Sequence, residues 1–370
     1  MKIVHLITRY NRGGTATWLN VLVTEQLKKG HQVTVLAGAV QDGEEEDAGF
    51  LNCEGIRIQH LGKRISLIED LQAIFEIRKE LKKLNPDVIN THTSKAGLVG
   101  RLAGYSFLQK RPAIVHTYHG HILYGYYGRF ATFIFKAIEK FLAKLTDAFL
   151  ISGEKVKSEL QESGLLGDTP TFLTRPGLPL GNLKRREVDV LSKEDKEDVV
   201  VGWLGRLTKI KRPDRLIELA NQFPTIKFLV GGEGELEDSL KASAPENVHF
   251  LGWVDSSSFW QKCDIALLTS DNEAQPISLI EAALSGLPSI AEDVGSVSDV
   301  IEDQKSGFLV NSVEQRRQAL SRLMHDAHLR SEMGAYAQNL VSEKFSIEQF
   351  IATHDRAYVA ALDSRFKSKH

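Results

Sequence analysis

Short apolar runs recur along this chain, each followed by residues of helical spacing, and the alternation breaks off once and then restarts. In the first half the runs are Lys2 to Ile7, Gln32 to Leu36, Val88 to Thr91, Ala113 to His116 and Phe149 to Ser152. In the second they are Val199 to Leu204, Ile226 to Val230, His249 to Leu251, Ile265 to Leu268, Ser289 to Ala291 and Phe308 to Val310. Apolar runs this short read as strands covered on both faces. Helical patterns lie between them, as at Trp18 to Leu27, Ile68 to Leu84 and Leu216 to Phe223. Strands alternating with helices make parallel sheets, so each half is expected to be an α/β sandwich. Between the halves the charge-dense stretch LKRREVDVLSKEDKED replaces the apolar pattern. The expected organisation is therefore a domain over 1–175, a linker over 176–198 and a second domain over 199–345. A closing helix over 346–370, opened by a capping box at Ser346 and Gln349, should run to about Leu362 and pack at the domain junction.

The 370 residues suit two cores. Two cysteines, Cys53 and Cys263, argue against a disulfide scaffold and for a reducing, cytoplasmic setting. No apolar run approaches a membrane span, and the apolar N-terminus is broken at Arg9, unlike a secretory signal. Net charge is −2, divided as 22 basic against 18 acidic residues over 1–172 and 24 against 30 beyond. Residues 88–146 hold 8 basic side chains against Glu139 alone. That patch is either a solvated face or a surface for an anionic membrane or acceptor. The helix expected from Gly128 to Leu145 carries Phe130, Phe133, Ile134, Ala137, Phe141 and Leu145 as one stripe and Lys136, Lys140 and Lys144 as another. It either packs its aromatics on the sheet or lies on an anionic leaflet, which would make the protein peripheral on the inner face of the membrane. Asp42 to Asp47 reads as an exposed acidic loop.

The chemistry concentrates in a few loops. In Ile265 to Ala283 a strand leads through a polar loop to a helix that Pro276 opens, which is anion-holding geometry. Glu273 in the loop and Glu281 in the helix either hold sugar hydroxyls at two points of one ligand, because a carboxylate accepts several hydrogen bonds, or are two solvated acids. Arg206 and Lys211, on the loop after Val199 to Leu204, could clamp a diphosphate. Gly13-Gly14 follows the first strand and either permits close backbone approach to a phosphate or sugar or is a bare turn, and no G-x-G-x-x-G is present here. His92-Thr93-Ser94-Lys95 opens a helix, where Thr93 or Ser94 caps it or the group takes phosphate. His116, His119 and His121 lack a matching Cys or Asp cluster, so no metal is expected. His119 beside Gly120 is placed either for packing or to touch a substrate hydroxyl or phosphate.

Together, Arg206, Lys211, the Glu273–Glu281 pair, Gly13-Gly14, His119 and the turn Gly295 to Asp299 resemble the retaining GT-B glycosyltransferases of the family 4-like, surface-polysaccharide and lipopolysaccharide type. The segments INTHTSKAGLVGRLAG and HTYHGHILYGYY look like the branch acting on lipid carriers. The resemblance implies two Rossmann-like domains facing a central cleft, the first binding acceptor and the second nucleotide sugar. It implies transfer of a sugar, with retention and without metal or other cofactor, from a nucleoside diphosphate sugar, UDP favoured. The acceptor would be a glycan or a polyprenyl-diphosphate-linked glycan, and nucleic acid is not a partner. By similarity, Arg206 and Lys211 bind the donor diphosphate, Glu281 the ribose and Glu273 the donor sugar. Amides near Gln275 and Ile277 face the sugar or the distal phosphate, Trp253-Val254 contacts the base, His119 lies near the transferred sugar, and Gly13-Gly14 near the diphosphate. Pro276 departs from the family's usual glycine and removes one amide. A UDP-sugar 2-epimerase of the same fold and a non-catalytic nucleotide-sugar-binding protein are the alternatives.

Overall fold

The computed structural model describes residues 1–41, 43–62, 64, 66–106, 111–120, 128–179 and 199–367. Most of the expected linker, and His121, lie outside them. The chain divides into two compact units, unit 1 comprising Met1–Gly177 with Ile347–His370 and unit 2 Leu178–Ser346.

Unit 1 runs β1 (Lys2–Arg9), α1 (Gly14–Lys28), β2 (Gln32–Gly38), α2 (Gly49–Asn52), β3 (Glu54–Arg57), α3 (Leu67–Leu84), β4 (Val88–His92), α4 (Ser94–Tyr105), β5 (Ala113–Tyr118), α5 (Arg129–Ala143), β6 (Ala148–Ser152), α6 (Glu154–Glu162) and β7 (Thr171–Thr174). Its seven strands are parallel in the order β3-β2-β1-β4-β5-β6-β7. The order reverses between β1 and β4, and loops at such a switch point are where open α/β sheets bind ligands. Alternate residues of each strand enter different cores. Val4, Leu6 and Ile89 pack with α3 and α4. Ile7 and Val35 pack with α1 and Phe350, and Ile3 and Val88 with Ala357, Tyr358 and Ala361 of the closing helix.

Unit 2 runs β8 (Val200–Leu204), α7 (Asp214–Gln222), β9 (Lys227–Gly231), α8 (Glu237–Ser243), β10 (Val248–Phe250), α9 (Ser256–Trp260), β11 (Ile265–Leu268), α10 (Ile277–Leu284), β12 (Ser289–Glu292), β13 (Gly307–Val310), α11 (Val313–His325) and α12 (Ala327–Lys344). Six parallel strands lie in the order β10-β9-β8-β11-β12-β13, with the switch between β8 and β11. The last helix, α13 (Ile347–Lys367), belongs to unit 1.

Two alternatives left open by the sequence are narrowed. The aromatic stripe of α5 does not pack on the sheet: Phe130 is 77% exposed and Phe133 69%, with Ile134, Ile138 and Phe141 also exposed. What α5 turns inward is Leu142 and the carboxylate of Glu139, which accepts from Arg101 at 2.8 and 2.9 Å and from the Tyr118 hydroxyl at 2.8 Å. Hence the basic excess over 88–146 is not one surface. Arg101 is buried on Glu139, Lys95 is paired with Asp70 and Arg111 with Asp147, whereas Lys140 and Lys144 remain exposed. The acidic loop, of which Asp42 lies outside the described residues, is exposed at Glu45 and partly covered at Glu44 and Glu46, and these three pair with Arg12, Arg9 and Arg57 respectively.

Candidate functional site

In unit 2 the loops after β8 and β11 leave adjacent strands at the switch point. The β8 loop carries Arg206, exposed, and then a single 3-10 turn, Lys209–Lys211. The β11 loop is stitched to that turn. The Thr269 hydroxyl donates to the Lys211 carbonyl at 2.9 Å and accepts from the Trp203 indole at 2.9 Å. The Asp271 amide donates to the Ile210 carbonyl at 2.8 Å, and Arg215 reaches both Asp271 and the Thr269 carbonyl. These bonds carry Glu273 to Lys211, and the two side chains form an ion pair. Ser270 Oγ donates to the same carboxylate at 2.6 Å. A cation and an acid 62 positions apart in sequence thus meet at one strand edge.

The second glutamate stands on α10, which Pro276 precedes as N-cap. Ser256 Oγ donates to Glu281 at 2.9 Å. Burial pushes the Glu281 carboxyl up to about 7, against the hydrogen bond from Ser256 and with help from the Asp255 charge. A protonated carboxyl loses acceptor capacity for a pair of hydroxyls. If Glu281 holds hydroxyls of a donor, as the sequence resemblance implies, the KM for that donor should rise as pH falls from 8 to 6, and Glu281→Gln should raise it at every pH and flatten the profile. A wild-type donor KM unchanged over that range would contradict this assignment.

Gln275 is buried and its side-chain amide donates to Asp299 at 2.8 Å. This ties the β11 loop to the turn Gly295 to Asp299. Ser296 N donates to the Glu273 carbonyl at 3.1 Å, and a Cβ on Gly295, at φ +53°, would lie 1.7 Å from that oxygen. Only glycine lets the turn support the Glu273 backbone so closely. Trp253 is exposed on the loop after β10, where its amide donates to Glu233 at 3.2 Å, and Val254 packs into the unit 2 core. Arg206, Lys211, Glu273, Gln275, Pro276 and Ile277 therefore lie on or beside the β8 and β11 loops, with Glu281 along α10 and Trp253-Val254 on the β10 loop.

In unit 1, Gly13, at φ +143°, is the N-cap of α1, and Gly14 is its first residue. Thr93 is the N-cap of α4 but makes no side-chain cap bond. Instead Thr8 of β1 accepts from the Ala96 amide at 3.2 Å and meets the Thr93 hydroxyl at 2.7 Å. His92 is buried, and Lys95 is held by Asp70. His119 follows β5 and packs edge-on against Trp18, with ring centroids 4.5 Å apart. Burial pushes its pKa down to about 3, so the ring is neutral. His116 lies on the other face of β5, bonded to Thr91, and does not join it.

Two family descriptions match the chain in succession, "Glycosyltransferase Family 4" over residues 12–170 and "Glycosyl transferases group 1" over residues 184–340. Among relatives, a UDP-Gal:alpha-D-GlcNAc-diphosphoundecaprenol alpha-1,3-galactosyltransferase of Escherichia coli is 27% identical, over 78% of this chain and 79% of that protein. The capsular polysaccharide biosynthesis glycosyltransferase CapM of Staphylococcus aureus is 27% identical, over 76% and 79%. Among solved structures, a sucrose-phosphate synthase of Thermosynechococcus elongatus superposes with TM-score 0.81 over 97% of this chain and 98% of that one, at 18% identity. HepE of Anabaena, in complex with UDP and glucose, superposes with TM-score 0.79 over 96% and 99%, at 18% identity. Two parallel Rossmann-like sheets, charged loops at the β8–β11 switch point and this pair of matches lead to one conclusion: the chain is a glycosyltransferase of the GT-B fold, with a family 4-like first half and a group 1 second half.

Proposed function

We propose that this glycosyltransferase moves a sugar, with retention and without a metal, from a UDP-sugar to a glycan on a lipid diphosphate during surface polysaccharide synthesis. The observation that carries the donor side is the meeting of Lys211 and Glu273 at the switch point of unit 2. Lys211, with Arg206 on the same loop, supplies positive charge for a diphosphate, and that charge counters what develops as the diphosphate leaves. Glu273 takes donor-sugar hydroxyls and Glu281 the ribose. No Asp-x-Asp occurs in the sequence, and the two cations stand where a metal's charge would otherwise be needed. Gly13, Gly14 and His119, at the C-terminal edge of the unit 1 sheet, are assigned to substrate contacts. The named relatives, which use a diphosphoundecaprenol glycan or build capsule, support the acceptor class. The test is incubation with UDP- and GDP-sugars in chelator, with and without membrane lipid extract, following released nucleotide and the anomeric configuration of the product. Transfer from a UDP-sugar that needs the lipid extract and gives a retained anomer is expected. An inverted product or abolition by chelator would refute the mechanism, and free epimerised sugar would identify an epimerase.

Access to a lipid-linked acceptor calls for a way onto the membrane, and no described helix is long and apolar enough to cross one. We assign that role to exposed apolar residues of α3 and α5. Right-handed crossovers place α3, α4 and α5 on one face of the unit 1 sheet. There Leu67 is 81% exposed and Ile68 73%, with Leu71 and Phe75, in addition to the α5 stripe. Lys140 and Lys144 flank that stripe, which suits anionic headgroups. Phe130→Ser with Phe133→Ser should reduce sedimentation with phosphatidylglycerol vesicles about tenfold or more, in line with the transfer cost of two aromatics. Equal sedimentation of variant and parent would dismiss the assignment.

A further inference from the structure

Between α1, α13 and one face of the unit 1 sheet, three imidazoles are bonded in series. Gln26 Oε1 lies 2.8 Å from His5 Nε2, His5 Nδ1 lies 3.0 Å from His92 Nε2, and His92 Nδ1 lies 3.0 Å from His119 Nε2. His5, His92 and Gln26 are buried. A neutral imidazole has one N–H and one lone pair, so each ring in such a series dictates the next. The far end is set by amides. Asn90 Oδ1 accepts from the Thr117 hydroxyl at 2.8 Å, which turns its nitrogen to the Tyr358 hydroxyl at 3.1 Å. Gln26 Nε2 donates to the same hydroxyl at 3.2 Å, which turns Gln26 Oε1 to His5. With Gln26 in this orientation His5 donates from Nε2, His92 from Nε2 to His5, and His119 from Nε2 to His92.

We propose that Gln26, His5 and His92 are positioning residues that fix His119 in one tautomer, with Nδ1 as a lone-pair acceptor for a hydroxyl hydrogen of the sugar substrate. The proposal rests on the assignment of His119 to substrate made above, and it narrows that assignment. A neutral ring offering only a lone pair repels phosphate oxygens, so His119 serves a hydroxyl and not the diphosphate. Burial supports neutrality throughout, since it lowers the pKa of His5 to about 4 and of His119 to about 3, and that of His92 well below the usual range. The series is not a proton path, because it ends on a carboxamide that takes no proton.

Ring nitrogens of the ¹⁵N-histidine-labelled full chain, correlated with their carbon-bound hydrogens by NMR, report which one is protonated, and His119→Ala identifies the His119 signals. A proton on Nε2 and none on Nδ1 is expected. A proton on Nδ1, or an averaged signal, overturns the proposal. Gln26→Leu and Tyr358→Phe should each give mixed tautomers and lower kcat/KM about 10- to 100-fold, the range for a misdirected contact. Gln26→Glu, which keeps an oxygen on His5, should restore both. A folded Gln26→Leu protein with mixed tautomers and parental kcat/KM also overturns the proposal. Full activity of His119→Ala would instead remove His119 from the substrate site and leave the tautomer result standing, so the two failures are distinguishable.

Discussion

Lys211→Ala is expected to lower kcat by about 10²- to 10³-fold at saturating donor, the cost of removing one charge-stabilising group from a transition state. Two structural features make the effect large. The Lys211 backbone is locked by Thr269, and its ammonium meets Glu273, so the charge is held in place before substrate arrives. A preorganised charge needs no reorientation as the leaving group develops its own. Removing the lysine also leaves Glu273 with Ser270 as its side-chain partner among the bonds described. Part of any loss could then come from a displaced carboxylate. Glu273→Gln alone and in combination separates the two, because residues in one network couple by about 0.5–3 kcal/mol. If Lys211 acts on the leaving diphosphate, the double variant loses more than Glu273→Gln, and the loss stays in kcat. Lys211→Arg keeps the charge but replaces a compact ammonium by a planar fork, and should recover only part of the rate. Single-turnover rates with a UDP-sugar measure all of these, and parental kcat in Lys211→Ala would end the assignment of this residue to the chemistry.

The order of chemical groups along the chain was readable because each motif sits in one loop. Arg206, Lys211, Glu273 and Glu281 follow strands whose apolar runs mark them plainly, since strands covered on both faces tolerate little else. The edge strands were not readable. β3, EGIR, is largely exposed and β7, TFLT, is half-buried along most of its length, so neither carries an apolar run. Helix α5 shows a different limit. Periodicity revealed its aromatic stripe but not which way the stripe points, and the direction is set by Glu139, which spacing marks only as a lone acid among lysines. Its partners Arg101 and Tyr118 come from α4 and β5. The histidine series is of the same kind. His5 and His92 stand 87 positions apart, each inside or ending an apolar run, and only the pairing of β1 with β4 brings them together. Local pattern specifies elements, and contacts across the sheet specify the electrostatics of the site.

The buried histidines of unit 1, that series together with His116 and His354, set an acid limit on the unit. Its thermal midpoint should fall by roughly 10 °C or more between pH 7 and pH 5, given about 2–4 °C per kcal/mol for a unit of this size. Burial, the main cause in each case, lowers the pKa of His5 to about 4 and of His119 and His354 to about 3, and that of His92 and His116 well below 6.5. A histidine held neutral in the fold and free to take a proton when unfolded makes the unfolded state the better proton binder. Stability is therefore intact above about pH 6.5 and is lost as pH falls through that value towards the folded pKa. At pH 5 each of His5, His119 and His354 costs about 2 kcal/mol, so two or three acting fully would consume much of an ordinary folding margin of about 5–15 kcal/mol. Unit 2 contains an opposing group. The carboxyl of Glu281, raised to about 7, favours the fold more as it is protonated, so its contribution grows as pH falls from 7 towards 4.5. The two units should thus separate on acidification, unit 1 melting earlier and unit 2 lagging. His354→Phe tests the cause. The ring packs against Phe350 and Trp18, so phenylalanine keeps an aromatic there and removes the proton site. The variant should gain stability relative to the parent at pH 5 by about 2 kcal/mol more than at pH 7. Equal pH dependence in parent and variant, by calorimetry of the full chain at both pH values, would show that His354 is not among the groups responsible.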